Sequence, residues 1–215
     1  MTVSIVPTAL AASPDEYKAH LERIHTFAKR VHVDLSDGSF APTATIGPDQ
    51  VWWPQGWQID IHAMVADPFS YVDHLLPLHP GLILFHAEAE GDLLATIQKI
   101  KAAGVKAGVV LMRSTVPADV APLIEAADHV MIFSGNLGKY GGVASMMQLE
   151  KVRLIRTINA GVEIGWDGGV TTENAFSLAQ GGVDVLYVGG AIQKAEDSET
   201  AYTTLVKEVN KTGAV

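Results

Sequence analysis

A chain of 215 residues, 48% of them apolar, can bury one sizeable core and is too apolar to be a disordered tail. It has no cysteine, which excludes disulfides and thiolate metal sites, so any metal must rest on nitrogen and oxygen ligands. With 15 Lys and Arg against 24 Asp and Glu, a net charge of -9 and no basic cluster, a nucleic-acid surface is not expected, although backbone amides can still hold a small phosphate.

In chain order, Val3–Val6 reads as a first strand ending at Pro7-Thr8. Ser13 is an N-cap with Pro14 at the first helical position and Glu16 three residues on, which predicts a helix to about Lys29. Val31–Leu35 is the second strand, and Gly38–Gln50 a Pro/Thr/Gly-rich loop too long to be a mere connection. Pro48–Trp53 has room only for a stunted helix. Strands follow at Gln58–Val65, Gly81–His86, Val105–Leu111 and His129–Phe133. Helices are expected from Asp67-Pro68 to Leu78, over Asp92–Ala103 and over Pro117–Ala126. A glycine-dense loop, Ser134–Gly142, precedes a long helix over about Ala144–Asn159. The last units are strand Val162–Trp166 with helix Thr172–Gln180, and strand Val183–Val188 with helix Ser198–Asn210.

Eight strand–helix alternations in this length predict one parallel (β/α)8 barrel, a TIM barrel spanning 1–215 as a single domain. A doubly wound open sheet is the alternative. Apolar runs are too short to span a bilayer and Met1–Leu10 has no basic leader, so the expectation is a cytoplasmic protein with no membrane contact.

Chemistry concentrates at strand ends. In Val31-His32-Val33-Asp34-Leu35-Ser36, the alternation puts His32, Asp34 and Ser36 on one face. The pattern returns in Ile59-Asp60-Ile61-His62, and the seventh strand ends in Asp167. In a barrel these ends converge on one mouth, so His32, Asp34, His62 and Asp167 are candidate ligands for one divalent ion, with Zn, Fe(II), Mn and Co all compatible. His74, His79, His86 and His129 are read as ordinary core or surface histidines. Asp37 is read as a turn cap before Gly38, and Asp60 as a strand-flanking group behind the site. Glycine pairs after the seventh and eighth strands, Gly168-Gly169 and Gly189-Gly190, sit where such barrels commonly bind phosphate on backbone amides.

Val31-His32-Val33-Asp34-Leu35-Ser36-Asp37-Gly38-Ser39-Phe40-Ala41-Pro42, Ile46-Gly47-Pro48, Asp60-Ile61-His62-Ala63-Met64-Val65, Trp166-Asp167-Gly168-Gly169-Val170 and Asp184–Ile192 together resemble the ribulose-phosphate 3-epimerase family over nearly the whole chain. The resemblance implies a ribulose-phosphate-binding type of barrel. It implies His32, Asp34, His62 and Asp167 as metal ligands, with Asp34 and Asp167 also as the catalytic acid/base pair. It adds Gly138, Gly141 and Gly142 of the glycine-rich loop to the phosphate grip, and Thr8 in place of a usual serine. The implied reaction is conversion of D-ribulose 5-phosphate to D-xylulose 5-phosphate. A homo-oligomer is implied as well, and Trp52, Trp53 and Trp57 are candidates for a subunit contact or for packing over the stunted unit.

The chain also departs from the family pattern. Ser36 stands where methionine is usual, Ala63 where leucine is usual, and Met112-Arg113 where a small polar–proline turn is usual. The loop Asn136-Leu137-Gly138-Lys139-Tyr140-Gly141-Gly142 replaces an Asn-Pro-Gly-Phe-Gly-Gly-Gln type and carries an extra residue. Another ketose phosphate, such as a hexulose 6-phosphate, is therefore an alternative substrate. Lys139 is either a phosphate contact or simply solvated. A keto-sugar acid phosphate decarboxylase would need a lysine between Asp34 and Asp37, where Leu35-Ser36 stand. A non-catalytic phosphosugar-binding barrel is the alternative outside enzymes.

Overall fold

The structure, a computed structural model, describes residues 2–211; residue 1 and residues 212–215 of the expected single domain lie outside the described residues. Strands β1 (Ser4–Leu10), β2 (Arg30–Ser36), β3 (Gln58–Met64), β4 (Leu82–His86), β5 (Lys106–Leu111) and β6 (His129–Phe133) are followed by a small antiparallel hairpin, β7 (Gly135–Asn136) and β8 (Lys139–Gly142). Then come β9 (Glu163–Asp167) and β10 (Val185–Val188). All but the hairpin close into a parallel barrel in the order β1-β10-β9-β6-β5-β4-β3-β2. The open-sheet alternative is excluded.

Around it run α1 (Pro14–Ile24), α2 (Pro68–Leu75), α3 (Leu93–Ala102), α4 (Ala121–Ala126), α5 (Glu150–Ile158), α6 (Thr172–Gln180), α7 (Gly190–Gln193) and α8 (Ser198–Val209). Their starts follow local chemistry. Ser13, Asp67, Asp92 and Asp197 each accept a backbone N–H of the following turn, which satisfies a donor the helix itself cannot. After β2 only a 3-10 turn forms, at Pro48–Gln50, as its composition predicted.

Several ends differ from expectation. The first helix stops at Ile24, where the N–H groups of Phe27 and Ala28 both turn back to the Ile24 carbonyl. The second gives way at Leu76–Leu78 to a 3-10 turn, since Pro77 has no N–H to continue it. The long helix expected from Ala144 begins only at Glu150, after a 3-10 turn at Met146–Leu149. The Ser134 hydroxyl donates to the Val143 carbonyl at 3.1 Å and accepts the Ser145 N–H at 2.9 Å, which holds that segment out of the helix.

Alternation along the strands makes two cores. Val31, Val33, Leu35, Ile59 and Ile61 face the helices, while Val6, Leu82, Leu84, Val110, Met131 and Val185 fill the barrel. Each such side chain contributes about 1.5–3 kcal/mol by leaving water. The barrel floor is polar instead. Arg30 donates to Asp60 at 2.7 Å and bidentately to Glu163 at 3.0 and 2.8 Å. His129 and Tyr187 complete the network, at 2.8 Å to Glu163 and 3.0 Å to Asp60 respectively. Gly165 is required here, because a Cβ would lie 2.4 Å from His129 Nε2. Among the described residues no helix is long and apolar enough to cross a membrane.

Candidate active site

The register of the barrel brings the four candidate ligands together. β2 and β3 pair Asp34 with His62, and β9 delivers Asp167 at its last position. One side-chain ligand atom from each of His32, Asp34, His62 and Asp167 lies within 4.8 Å of all the others. Asp34 Oδ1 is the hub, 3.2 Å from His32 Nε2 and 2.8 Å from His62 Nδ1. Both imidazoles are fully buried, and the His32 ring lies on Tyr187 with centroids 4.2 Å apart. Two nitrogens and two carboxylates, with no sulfur, make a donor set that could hold Zn, Fe(II), Mn or Co.

The surroundings divide the two carboxylates. Burial disfavours the charged form of both. At Asp34 the charge on His32 and the hydrogen bond from its imidazole overcome that and hold the carboxyl well below the usual range. Asp167 has no such donors; burial and then the charge of Asp34 push it up to about 7. His62 is driven down to about 4 by burial, against the pull of Asp34. Burial also opposes the charged form of His32, yet Asp34 raises it overall.

Above this cluster a cleft of about 330 Å³ opens at the barrel mouth, and Asp34 and Asp167 form part of its floor. Thr8, Gly168, Gly169, Gly189 and Gly190 line it together with Gly138, Gly141 and Gly142 of the hairpin. All eight expected contact residues thus share one cleft with the two aspartates. Several of these glycines also answer to packing. A Cβ on Gly168 would sit 2.0 Å from the Gly135 nitrogen, and one on Gly169 would sit 2.2 Å from the Ala144 nitrogen. Gly190 has nothing nearer than 3.9 Å, so its place is open to a ligand.

Reading residues in isolation missed Tyr140. Its hydroxyl accepts the Leu10 N–H at 2.7 Å and donates to the Thr8 carbonyl at 3.2 Å, tying the hairpin to the end of β1. Its ring covers Gly189. The signal was an aromatic inside a glycine-rich loop. Arg113 holds the other side of the hairpin, donating to the Gly135 carbonyl at 2.8 Å. Lys139 is exposed, makes no ion pair among the described residues and lines the cleft. Asp37 caps its turn as expected, accepting from Ser39 and Phe40. Asp60, expected as a strand-flanking group behind the site, is fully buried in the floor network, where it accepts from Arg30 and Tyr187. Ser36 turns its hydroxyl to the Gly38 N–H at 3.2 Å, and it is Met64, its register partner, that lines the cleft. Trp53 and Trp57 pack on the core, while Trp52 is half exposed and sits edge-on to Tyr17.

Comparison with known proteins agrees with this geometry. The family model described as the ribulose-phosphate 3 epimerase family matches residues 4–193. The chain belongs to that family. Among its relatives, the ribulose-phosphate 3-epimerase of Helicobacter pylori is 32% identical over 206 residues, 93% of this chain and 94% of that one. The chloroplastic ribulose-5-phosphate-3-epimerase of Arabidopsis thaliana is 32% identical over 179 residues, 78% of this chain and 63% of its own. Solved structures share the epimerase's fold at much lower identity. KGPDC from Streptococcus mutans superposes with a TM-score of 0.73 at 12% identity, covering 97% of this chain and 98% of that one. The 3-hexulose-6-phosphate synthase of Salmonella typhimurium reaches 0.72 at 16% identity, covering 96% and 98%.

Proposed function

We propose that this family member is a metal-dependent epimerase interconverting D-ribulose 5-phosphate and D-xylulose 5-phosphate. The observation that carries the reading is the pairing of Asp34 and Asp167 within one His/Asp cluster, beneath a glycine-lined cleft. Inverting a carbon beside a ketone requires removal of a weakly acidic C–H proton and delivery of another to the opposite face. Two carboxylates flanking a flat enediolate do this if one is ionised and the other protonated. The environments of Asp34 and Asp167 favour that division, with Asp34 as base and Asp167 as acid in one direction and the roles exchanged in the other.

His32, Asp34, His62 and Asp167 would hold the divalent ion, of which Zn, Fe(II), Mn and Co suit the donors. Such an ion supplies Lewis-acid stabilisation of the negative charge that develops on the substrate's ketone and hydroxyl oxygens. The backbone N–H groups around Gly168-Gly169 and Gly189-Gly190 orient the phosphate, with Thr8 and the hairpin glycines Gly138, Gly141 and Gly142 closing the cleft. Met64 and Phe133 exclude water from the reacting carbon.

The test is incubation of metal-loaded protein with D-ribulose 5-phosphate in deuterated water. Xylulose 5-phosphate carrying deuterium at C3 is the expected product, and neither product nor exchange would overturn the reading. The remodelled hairpin, with Lys139 and Tyr140 at the cleft, supports a second reading, an epimerase of another ketose phosphate such as a hexulose 6-phosphate. Exchange at C3 of that sugar, with none on the pentulose, would select it. A homo-oligomer and a cytoplasmic location belong to the same proposal, to be tested by sedimentation and by cell fractionation.

A further inference from the structure

Behind the cluster lies a chain of hydrogen bonds that the reaction itself does not require. His62 Nε2 is 2.9 Å from His86 Nε2, and His86 Nδ1 is 3.3 Å from Glu88 Oε2. Both imidazoles are fully buried and the Glu88 side chain is only a quarter exposed. We propose that His86 and Glu88 are positioning residues that hold His62 with its proton on Nε2, leaving Nδ1 free to ligate the divalent ion. The inference rests on the preceding reading of the cluster as a cation site.

The argument is one of direction. Glu88 is an acceptor, because its other oxygen already takes the Met112 N–H at 3.0 Å and the Thr115 hydroxyl. A carboxylate so placed draws the His86 proton to Nδ1. His86 Nε2 is then a lone pair, and among the described residues the donor within reach that satisfies it is His62 Nε2–H. The lone pair of His62 Nδ1 consequently faces Asp34 Oδ1 at 2.8 Å, acceptor against acceptor. A divalent ion held by both atoms would convert that repulsion into coordination. Core packing alone needs neither a ring-to-ring hydrogen bond nor a carboxylate at its end. Partners of this kind orient ligating histidines generally, and their loss costs roughly 10–100-fold in metal affinity.

The test is competition titration of Co2+ against a chelator, read by visible absorption, on wild type, His86→Phe, His86→Gln and Glu88→Ala. Weakening of about 10–100-fold is expected for His86→Phe and Glu88→Ala, with partial retention in His86→Gln, whose amide oxygen can still accept from His62. In addition, 15N NMR of the metal-free protein is expected to place the His62 proton on Nε2 in wild type and to lose that preference in Glu88→Ala, a readout that a purely structural role would not produce. Glu88→Ala, at the partly exposed end, keeps the test open if His86→Phe does not fold. Affinities within twofold of wild type in both variants, or a proton on His62 Nδ1, would overturn the inference alone. A wild type that binds neither Co2+ nor Zn2+ would instead overturn the proposed function, and this inference with it.

Discussion

Asp34 and Asp167 bring their carboxylates within 4.8 Å of each other, yet the charge and hydrogen bond of His32 hold one down and burial raises the other to about 7. Like charges this close cannot both ionise cheaply, and His32 decides which does. For an epimerase this asymmetry matters more than the presence of two acids. Replacing either by asparagine keeps the shape and removes the proton transfer. Asp34→Asn and Asp167→Asn are each expected to lower kcat by about 10²–10⁴-fold and to abolish C3 deuterium incorporation. Unchanged turnover in both would rule out the two-aspartate scheme.

The same pair makes the metal-free protein sensitive to pH. Because Asp167 is raised, the folded state binds its proton more tightly than the unfolded chain does. Its contribution to stability is fully present below about pH 4 and is lost as pH rises through about 7. The difference between wild-type and Asp167→Asn unfolding free energies, measured by denaturant titration without metal from pH 5 to 8, is expected to decline steadily. A flat difference would show that Asp167 is not raised.

Removal of metal should act on stability as well as on rate. Chelation is expected to stop turnover, and Zn, Mn, Co or Fe(II) to restore it. Free metal at about 100 times its Kd adds about 2.7 kcal/mol if it binds only the folded chain. Thermal unfolding with and without added metal measures this, and equal midpoints would argue against a bound ion.

At the barrel floor, Arg30 forms the only ion pair to the fully buried Asp60 among the described residues. Arg30→Ala leaves that carboxylate, and part of Glu163, unpaired, at an expected cost of about 3–5 kcal/mol. Guanidinium denaturation at neutral pH gives the value directly. A loss under about 1 kcal/mol would mean that water reaches the floor.

The glycines at the cleft are expected to separate by experiment. Gly168 has φ of +105° and no room for a Cβ beside Gly135, so Gly168→Ala should lose at least about 1–3 kcal/mol of stability. Gly190→Ala meets only open space and should fold normally, with KM for the phosphorylated sugar raised about tenfold, or about 1.4 kcal/mol. Equal KM in Gly190→Ala would place the phosphate elsewhere in the cleft.

Much of this protein was legible in one dimension because its information is periodic. Alternation along Val31–Ser36 and Ile59–His62 already put His32, Asp34 and His62 on the inner face, and eight strand–helix repeats allowed few closures other than a barrel. The helix caps at Ser13 and Asp67 were equally local, since a cap bonds within its own turn. What sequence could not supply were relations across distant residues. His86 looked like any core histidine until the β3–β4 pairing set its ring against His62, and Asp60 looked peripheral until Arg30 and Tyr187 closed around it. The hairpin at Gly135–Gly142 depended on Tyr140 reaching β1, some 130 residues away, and the delayed start of α5 on Ser134 holding Val143 and Ser145. Local periodicity and capping decide which elements form and which faces turn inward. Only closure of the barrel decides which side chains from separate strands meet, and therefore which of two aspartates gives up its proton.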